Sequence, residues 1–269
     1  MKKLMINEVQ EVLLDLMKIV HQFTLENQLK YYLLGGSALG AVRHDGFIPW
    51  DDDIDIGMER EDYEKFLGIC SRFDGRYEVV NFWNRKNCDF GLTRIYINNT
   101  YIENPTISNT QLDKRLYLDI FPLDNVPDDD EALAAYEKKI VSKKKTIQRI
   151  DVREYKDSKS KLLIKRIVSL ALQPFRQYIL HSFDSLMKRY RYCRTERICS
   201  LCSQYSFNKQ VMMKTVYGIP TLHKFEDAEF YIPENIHSYL TTLFGVDYMT
   251  VPPVEKRRKG YDIYSTSEE

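Results

Sequence analysis

Residues 35–56, GGSALGAVRHDGFIPWDDDIDI, constrain this chain more than any other stretch. Asp51, Asp52, Asp53 and Asp55 fall within five consecutive positions. Carboxylates this close repel one another, so a chain tolerates them either in a solvated turn or around a cation. The pattern inside the run separates the two cases. Asp53 and Asp55 alternate with Ile54 and Ile56, which is the period of a strand with one buried face. Residues two apart on a strand share a face. The spacing therefore predicts two carboxylates projecting together while the isoleucines enter the core. A divalent cation relieves such a pair, and hard oxygen ligands suit Mg²⁺ or Mn²⁺. Asp51 and Asp52 read as an acidic turn that lends outer support at most.

The stretch just upstream supplies a complement to the cation. Residues 30–34, KYYLL, read as a short buried strand that breaks at Gly35 and Gly36. Ser37 is then placed to cap a short helix, ALGAVR. Glycines let a phosphate approach the backbone, and the N–H groups of a helix start favour an anion. One element can thus hold phosphate oxygens through Gly35, Gly36 and Ser37 while the adjacent strand holds the metal. This is the sequence logic of the nucleotidyltransferase fold, which adds a third carboxylate from a neighbouring strand. RLYLDIFPLD offers one: Asp119 sits between Leu118 and Ile120, where an unpaired charge would be costly. Asp53, Asp55 and Asp119 are therefore the expected metal ligands and catalytic residues. Asp119 is also a candidate to accept the proton of an attacking hydroxyl. Asp124, past Pro122, reads as a turn residue.

Hydrophobic periodicity organises the rest. Val9, Val12, Leu13, Leu16, Val20 and Phe23 mark an amphipathic helix over residues 7–28. REDYEKFLGICSRF follows the acidic strand as a helix, and residues 76–121 read as several strands. PDDDEALAAYEKKIVSKKKTIQRI opens a helical stretch with acids first and bases later, matching the helix dipole. Helical patterns continue on both sides of Pro174. After Cys202 come short strand-like pieces, then a helix in PENIHSYLTTLFG with Pro233 at its start and Gly245 past its end, and a tail, YSTSEE, expected to fray. The fold class is α/β (α+β): a mixed sheet with flanking helices, followed by a mostly helical C-terminal part. The expected division is a catalytic core over 1–125, a helical region over 126–210 and a segment over 211–269 that packs on the core.

Lys plus Arg equals Asp plus Glu at 39 each, so the formal net charge is zero and no global field favours nucleic acid. No uncharged window of about 18–20 residues is present, and Glu8, Glu11 and Asp15 interrupt the N-terminal apolar run, so neither a membrane span nor a secretory leader is expected. The five cysteines, Cys199 and Cys202 included, are expected as reduced thiols in a cytoplasmic protein. The basic helices over 141–192 read either as a solvated face or as a surface turned to the inner face of a membrane or an anionic acceptor.

The blocks GGSALGAVRHDGFIPWDDDIDIGMEREDYEKF, LYLDIFPLD and FGVDYMTVPP resemble the LicD family of phosphotransferases, whose relatives include the fukutin group. The resemblance implies a nucleotidyltransferase-like fold and transfer of a phospho-alcohol, typically phosphocholine from CDP-choline, to a sugar of a surface glycan, teichoic acid or lipopolysaccharide. The family's metal carboxylates fall on Asp53, Asp55 and Asp119. With a CDP-alcohol donor, Arg43 either reaches the diphosphate or pairs with the aspartates, and Arg94 in GLTRIYIN is a weaker candidate for the leaving-group charge. Trp50 either stacks on a base or faces a choline ammonium, or it packs on the core. Two other readings remain open: a true nucleotidyltransferase moving NMP from NTP to a small molecule, and a non-catalytic binding protein on the same fold.

Overall fold

The N-terminal helix forms because its apolar residues recur every three or four positions. In the computed structural model, which describes residues 1–73, 75–85, 88, 91–103, 113–150, 159–257 and 260–266, Val9, Leu13, Leu16, Met17 and Val20 bury one stripe of that helix. A short strand β1 (Lys2–Lys3) precedes it, and Glu8 accepts from the Met5 N–H at 2.7 Å to close the first turn of α1 (Ile6–Glu26). The chain continues through β2 (Tyr32–Leu33), α2 (Gly35–His44), β3 (Asp55–Glu59), α3 (Arg60–Ile69), β4 (Tyr77–Val80), β5 (Thr93–Ile97), β6 (Thr100–Glu103) and β7 (Tyr117–Asn125). Three helices follow, α4 (Asp130–Ile150), α5 (Lys159–Leu172) and α6 (Arg176–Met187). The remainder comprises β8 (Arg197–Cys199), α7 (Phe207–Gln210), β9 (Val211–Met213), α8 (Lys214–Tyr217), β10 (Thr221–Phe225), β11 (Ala228–Ile232), α9 (Ile236–Phe244) and β12 (Asp262–Ser265).

The main sheet runs β2-β3-β7-β5-β4, with β8 joined to β7 and β9 to β8. Only β3 and β7 pair in parallel within it; its other described pairs are antiparallel. This is the mixed sheet with flanking helices that the pattern predicts. Its core draws on α1, β3 and β7, and also on Tyr217, Phe225, Phe230, Tyr239 and Ile263 from the C-terminal segment. A second core of Val126, Tyr136, Ile140, Phe183, Met187 and Leu201 lies among the later helices.

Several local expectations are corrected. The helix α2 starts at Gly35 with Leu34 in the capping position, so Ser37 lies inside the first turn and does not cap it. Strand β3 begins at Asp55, leaving Asp53 just outside, although the Asp119 N–H already donates to Ile54 O at 3.0 Å. Pro233 lies ahead of Asn235, which occupies the capping position of α9. Tyr264 and Ser265 of the tail belong to β12, which pairs with both β1 and β6; residues 267–269 lie outside the described residues.

Asp124 is the clearest correction. Pro122 does not end β7, because it falls where one neighbour gives way to the next. On that edge β5 pairs with residues up to Ile120, and β8 pairs from Asp124. A missing N–H costs little at such a gap. Asp124 is therefore a buried strand residue, 1% exposed, that accepts from Arg60 Nε and Nη2 at 2.7 Å each. Arg60 also reaches Asp184 of α6 at 3.3 Å, and Asp184 receives Lys188 at 2.7 Å. This buried ionic chain ties the helical region to the sheet through α3 and β7. Asp124→Ala is expected to leave the Arg60 charge without its main partner and to lower stability by about 3–5 kcal/mol, read as a reduced denaturation midpoint in urea.

Candidate active site

Strand register assembles the site. Asp55 on β3 lies directly opposite Asp119 on β7, and Asp119 lies directly opposite Arg94 on β5. The three form one row across three adjacent strands. Ile54, Ile56, Leu118 and Ile120 on the alternate positions are all buried. Arg94 Nε donates to Asp119 Oδ1 at 2.8 Å, and its guanidinium lies 4.1 Å from the centre of the Tyr117 ring. Asp119 is thus a paired carboxylate, with the cation that sequence reasoning placed only weakly.

The turn before α2 is locked to this row in both directions. The Leu34 N–H donates to Asp55 O, and the Asp55 N–H donates to Ser37 Oγ, each at 2.9 Å. Gly35 takes a left-handed φ of 51°, which a side chain rarely adopts. Its N–H donates to the Tyr239 hydroxyl at 2.9 Å. That amide is therefore engaged, and the Gly36 and Ser37 amides are the next at the helix start, where N–H groups have no partner within the helix.

The loop over residues 45–54 returns along α2 and delivers the remaining acids. A Cβ on Gly40 would lie 2.4 Å from Gly46 O, and one on Gly36 would lie 2.7 Å from Asp51 Oδ2. These two glycines stand four apart on one helix face; bare backbone at Gly40 lets the loop backbone pass, and at Gly36 it leaves room for the Asp51 carboxylate. Gln10 of α1 holds the loop from the other side, donating to Ile48 O at 3.2 Å and Asp51 O at 3.0 Å. Asp51 consequently points at the N-terminus of α2, where the helix dipole favours an anion. One carboxylate oxygen from each of Asp51, Asp52 and Asp53 can be chosen so that all lie within 4.8 Å of one another. Asp52 accepts from the Tyr261 N–H at 2.9 Å and so also anchors the C-terminal segment.

Burial and the charges of Asp53, Asp119 and Asp51 push the Asp55 carboxyl well above the ordinary carboxylate range, with Arg94 opposing them. A set of crowded oxygen donors that raises the proton affinity of one member suits a hard divalent cation. Asp51, Asp52 and Asp53, whose oxygens converge, are residues that could hold it, with the expected Asp55 and Asp119 close enough to Asp53 and each other to feel one another's charge.

Other expected residues lie elsewhere. Among the described contacts Arg43 is held by other partners than the aspartates. Its Nη1 donates to Tyr248 O at 2.9 Å and Thr250 O at 3.3 Å, so it fastens the FGVDYMTVPP stretch. Trp50 packs against the core, and the Arg257 guanidinium lies 4.2 Å from its ring centre. The aromatic ring brought against Gly35 and Asp55 is Tyr205, whose Cε2 lies 3.8 Å from where a Gly35 Cβ would stand. Sequence reasoning missed Tyr205, Tyr239 and Gly40. The Gly-x-x-x-Gly spacing of Gly36 and Gly40 was the only signal for any of them.

Asp55→Asn removes one charge from the crowd. Because the Asp55 pKa is raised in the folded state, wild type loses stability as pH rises above the ordinary carboxylate range toward that raised value. In EDTA the variant is therefore expected to melt higher than wild type at pH 8, with the gap closing toward pH 5 in calorimetry.

The family model described as LicD/FKTN/FKRP, nucleotidyltransferase domain, matches residues 28–162. The chain is 26% identical over 266 residues to a lipopolysaccharide cholinephosphotransferase LicD of Haemophilus influenzae, covering 96% of each chain. It is 47% identical over 47 residues to the human ribitol 5-phosphate transferase FKRP, covering 18% of this chain and 9% of that protein. Register, glycine turn and acidic loop thus lie in the region where the family model matches, and the chain belongs to the LicD family.

Proposed function

We propose that this protein is a metal-dependent phosphotransferase that moves a phospho-alcohol, phosphocholine from CDP-choline foremost, onto a sugar hydroxyl of a cell-surface glycan, teichoic acid or lipopolysaccharide. One observation carries the reading. The Asp55–Asp119–Arg94 row stands beside the α2 N-terminus, with Asp51 and Asp53 at its end. The end-to-end similarity to a cholinephosphotransferase supports the choice of donor.

Each element has a task in this reaction. Bound to Asp53, Asp55 and Asp119, Mg²⁺ or Mn²⁺ would neutralise the donor diphosphate and the charge of the departing CMP. The Gly36 and Ser37 amides face phosphate oxygens. Arg94 holds Asp119 in place and contributes positive charge beside the leaving group. Asp119 is the carboxylate on the central strand of the row and the acceptor for the hydroxyl proton. Tyr205, whose ring edge and hydroxyl lie next to Gly35, is the aromatic side chain nearest the turn and the candidate to meet the donor's alcohol.

The test is Mg²⁺-dependent release of CMP from CDP-choline with a glycan acceptor. Release of pyrophosphate from CTP or ATP instead would identify a nucleotidyltransferase, and release of neither would identify a binding protein. Asp53→Ala and Asp119→Ala are each expected to lower turnover by about a thousandfold while circular dichroism stays unchanged. Mg²⁺ is expected to raise the melting temperature of wild type and not of Asp53→Ala.

A further inference from the structure

The helix α5 (Lys159–Leu172) carries an apolar stripe on its outside. Leu163, Ile164, Ile167 and Leu170 are 60%, 62%, 58% and 72% exposed. At a helical period these positions fall on one arc with Ala171. The opposite face makes the attachment to the rest of the chain: the Ser169 hydroxyl donates to Ile150 O, and Gln173 Nε2 donates to the same oxygen at 3.1 Å. The polarity is thus the reverse of an ordinary surface helix, which turns its apolar stripe to the core. Phe175 and Tyr178, 58% and 73% exposed, continue the patch beyond the helix.

Charge identifies what covers it. On the helical wheel Lys161 borders the stripe on one side and Arg166 borders it on the other, while Lys165 falls on the face of Ser169. Residues 158–183 contain five Lys and Arg and no Asp or Glu. Long basic side chains at the edges of an apolar stripe can lay their stems along hydrocarbon and keep their heads at a polar boundary. None of the described helices is long and apolar enough to cross a membrane, so the fit is to a helix lying in the plane of an interface. A second copy of the chain would set these bases against the same bases, which like-charge repulsion disfavours.

We propose that α5, continued by Phe175 and Tyr178, is a docking element for an anionic lipid bilayer. The stripe enters the boundary between headgroups and acyl chains while Lys161 and Arg166 at its edges meet lipid phosphates. The Arg60–Asp124–Asp184 chain holds α6, which follows α5 in sequence, to the sheet that carries the acid row, so docking would set the orientation of that sheet. Membrane docking is independent of the reaction proposed above and is tested without turnover.

The full-length chain is sedimented with vesicles of phosphatidylcholine alone or with about one third phosphatidylglycerol. Partitioning at least about tenfold stronger to the anionic vesicles, and weaker as salt rises, is expected. Leu163→Glu with Ile167→Glu is expected to lose about tenfold or more of that binding with its melting curve unchanged, and Lys161→Gln with Arg166→Gln to remove the preference for anionic lipid. Hydrogen exchange on the wild-type chain needs no variant and is expected to show vesicle-dependent protection centred on residues 159–178. Absence of vesicle binding, undiminished binding by the folded Leu163→Glu, Ile167→Glu chain, or protection confined elsewhere would overturn the proposal. So would a concentration-dependent dimer that buries α5 and leaves vesicles unbound.

Discussion

Carboxylates gathered into a half-buried space repel one another, and the structure around α2 and β3 consists of contacts that hold them together in spite of it. Asp55 is fixed by its backbone, which exchanges hydrogen bonds with Leu34 and Ser37 in both directions. Asp119 is fixed by the parallel register and by Arg94. Asp51 is fixed by a loop that lies on the bare backbone of Gly40 and is pinned by Gln10. Apart from the Arg94–Asp119 ion pair, these holds are made by backbone and neutral groups. The surrounding fold supports the strained constellation, and stored repulsion of this kind is what a bound cation would release.

What the sequence makes legible is set by distance along the chain. The alternation of Asp53, Ile54, Asp55 and Ile56 and the apolar setting of Asp119 are local patterns, and both land where the patterns imply. The boundary at Asp55, two positions past the predicted start of alternation at Asp53, is the ordinary uncertainty of a strand end. Arg94 is different. As a single basic residue in GLTRIYIN it says little, and only the β5–β7 register places it opposite Asp119. Tyr239 reaches Gly35 across 204 residues, a separation at which no local pattern operates. Arg43 is likewise settled from the far end of the chain, held by Tyr248 and Thr250, and Trp50 takes the placement on the core that the sequence allowed, with Arg257 beside it. Asp124 misleads because a proline usually ends a strand, and here it falls at the one gap in the ladder where its missing N–H has no partner to lose.

The C-terminal segment has a larger role than packing. It supplies Tyr239 to the glycine turn, the Tyr261 amide to Asp52, and the carbonyls that hold Arg43. Glu226, in the turn between β10 and β11, accepts from the Phe47 N–H at 2.9 Å and so fixes the start of the acidic loop as well. The loop that carries the aspartates is therefore braced by α1 on one side and by residues beyond 220 on the other. Such bracing gives the FGVDYMTVPP stretch a physical reason to accompany the acidic block: each end of the chain completes the other.

The two kinds of similarity then speak for different amounts of the site. The 47-residue match to the human ribitol 5-phosphate transferase is shorter than the stretch from Gly35 to Asp119, so it cannot contain the glycine turn and the third carboxylate together. The match to the cholinephosphotransferase spans 96% of both chains and takes in the acid row together with the C-terminal braces. A metal-and-phosphate centre works the same way on any phospho-alcohol, since its contacts are to phosphate oxygens. Discrimination among alcohols has to come from side chains around that centre. In this chain the side chains brought to the glycine turn from late in the sequence are Tyr205, against Gly35, and Tyr239, on the turn itself.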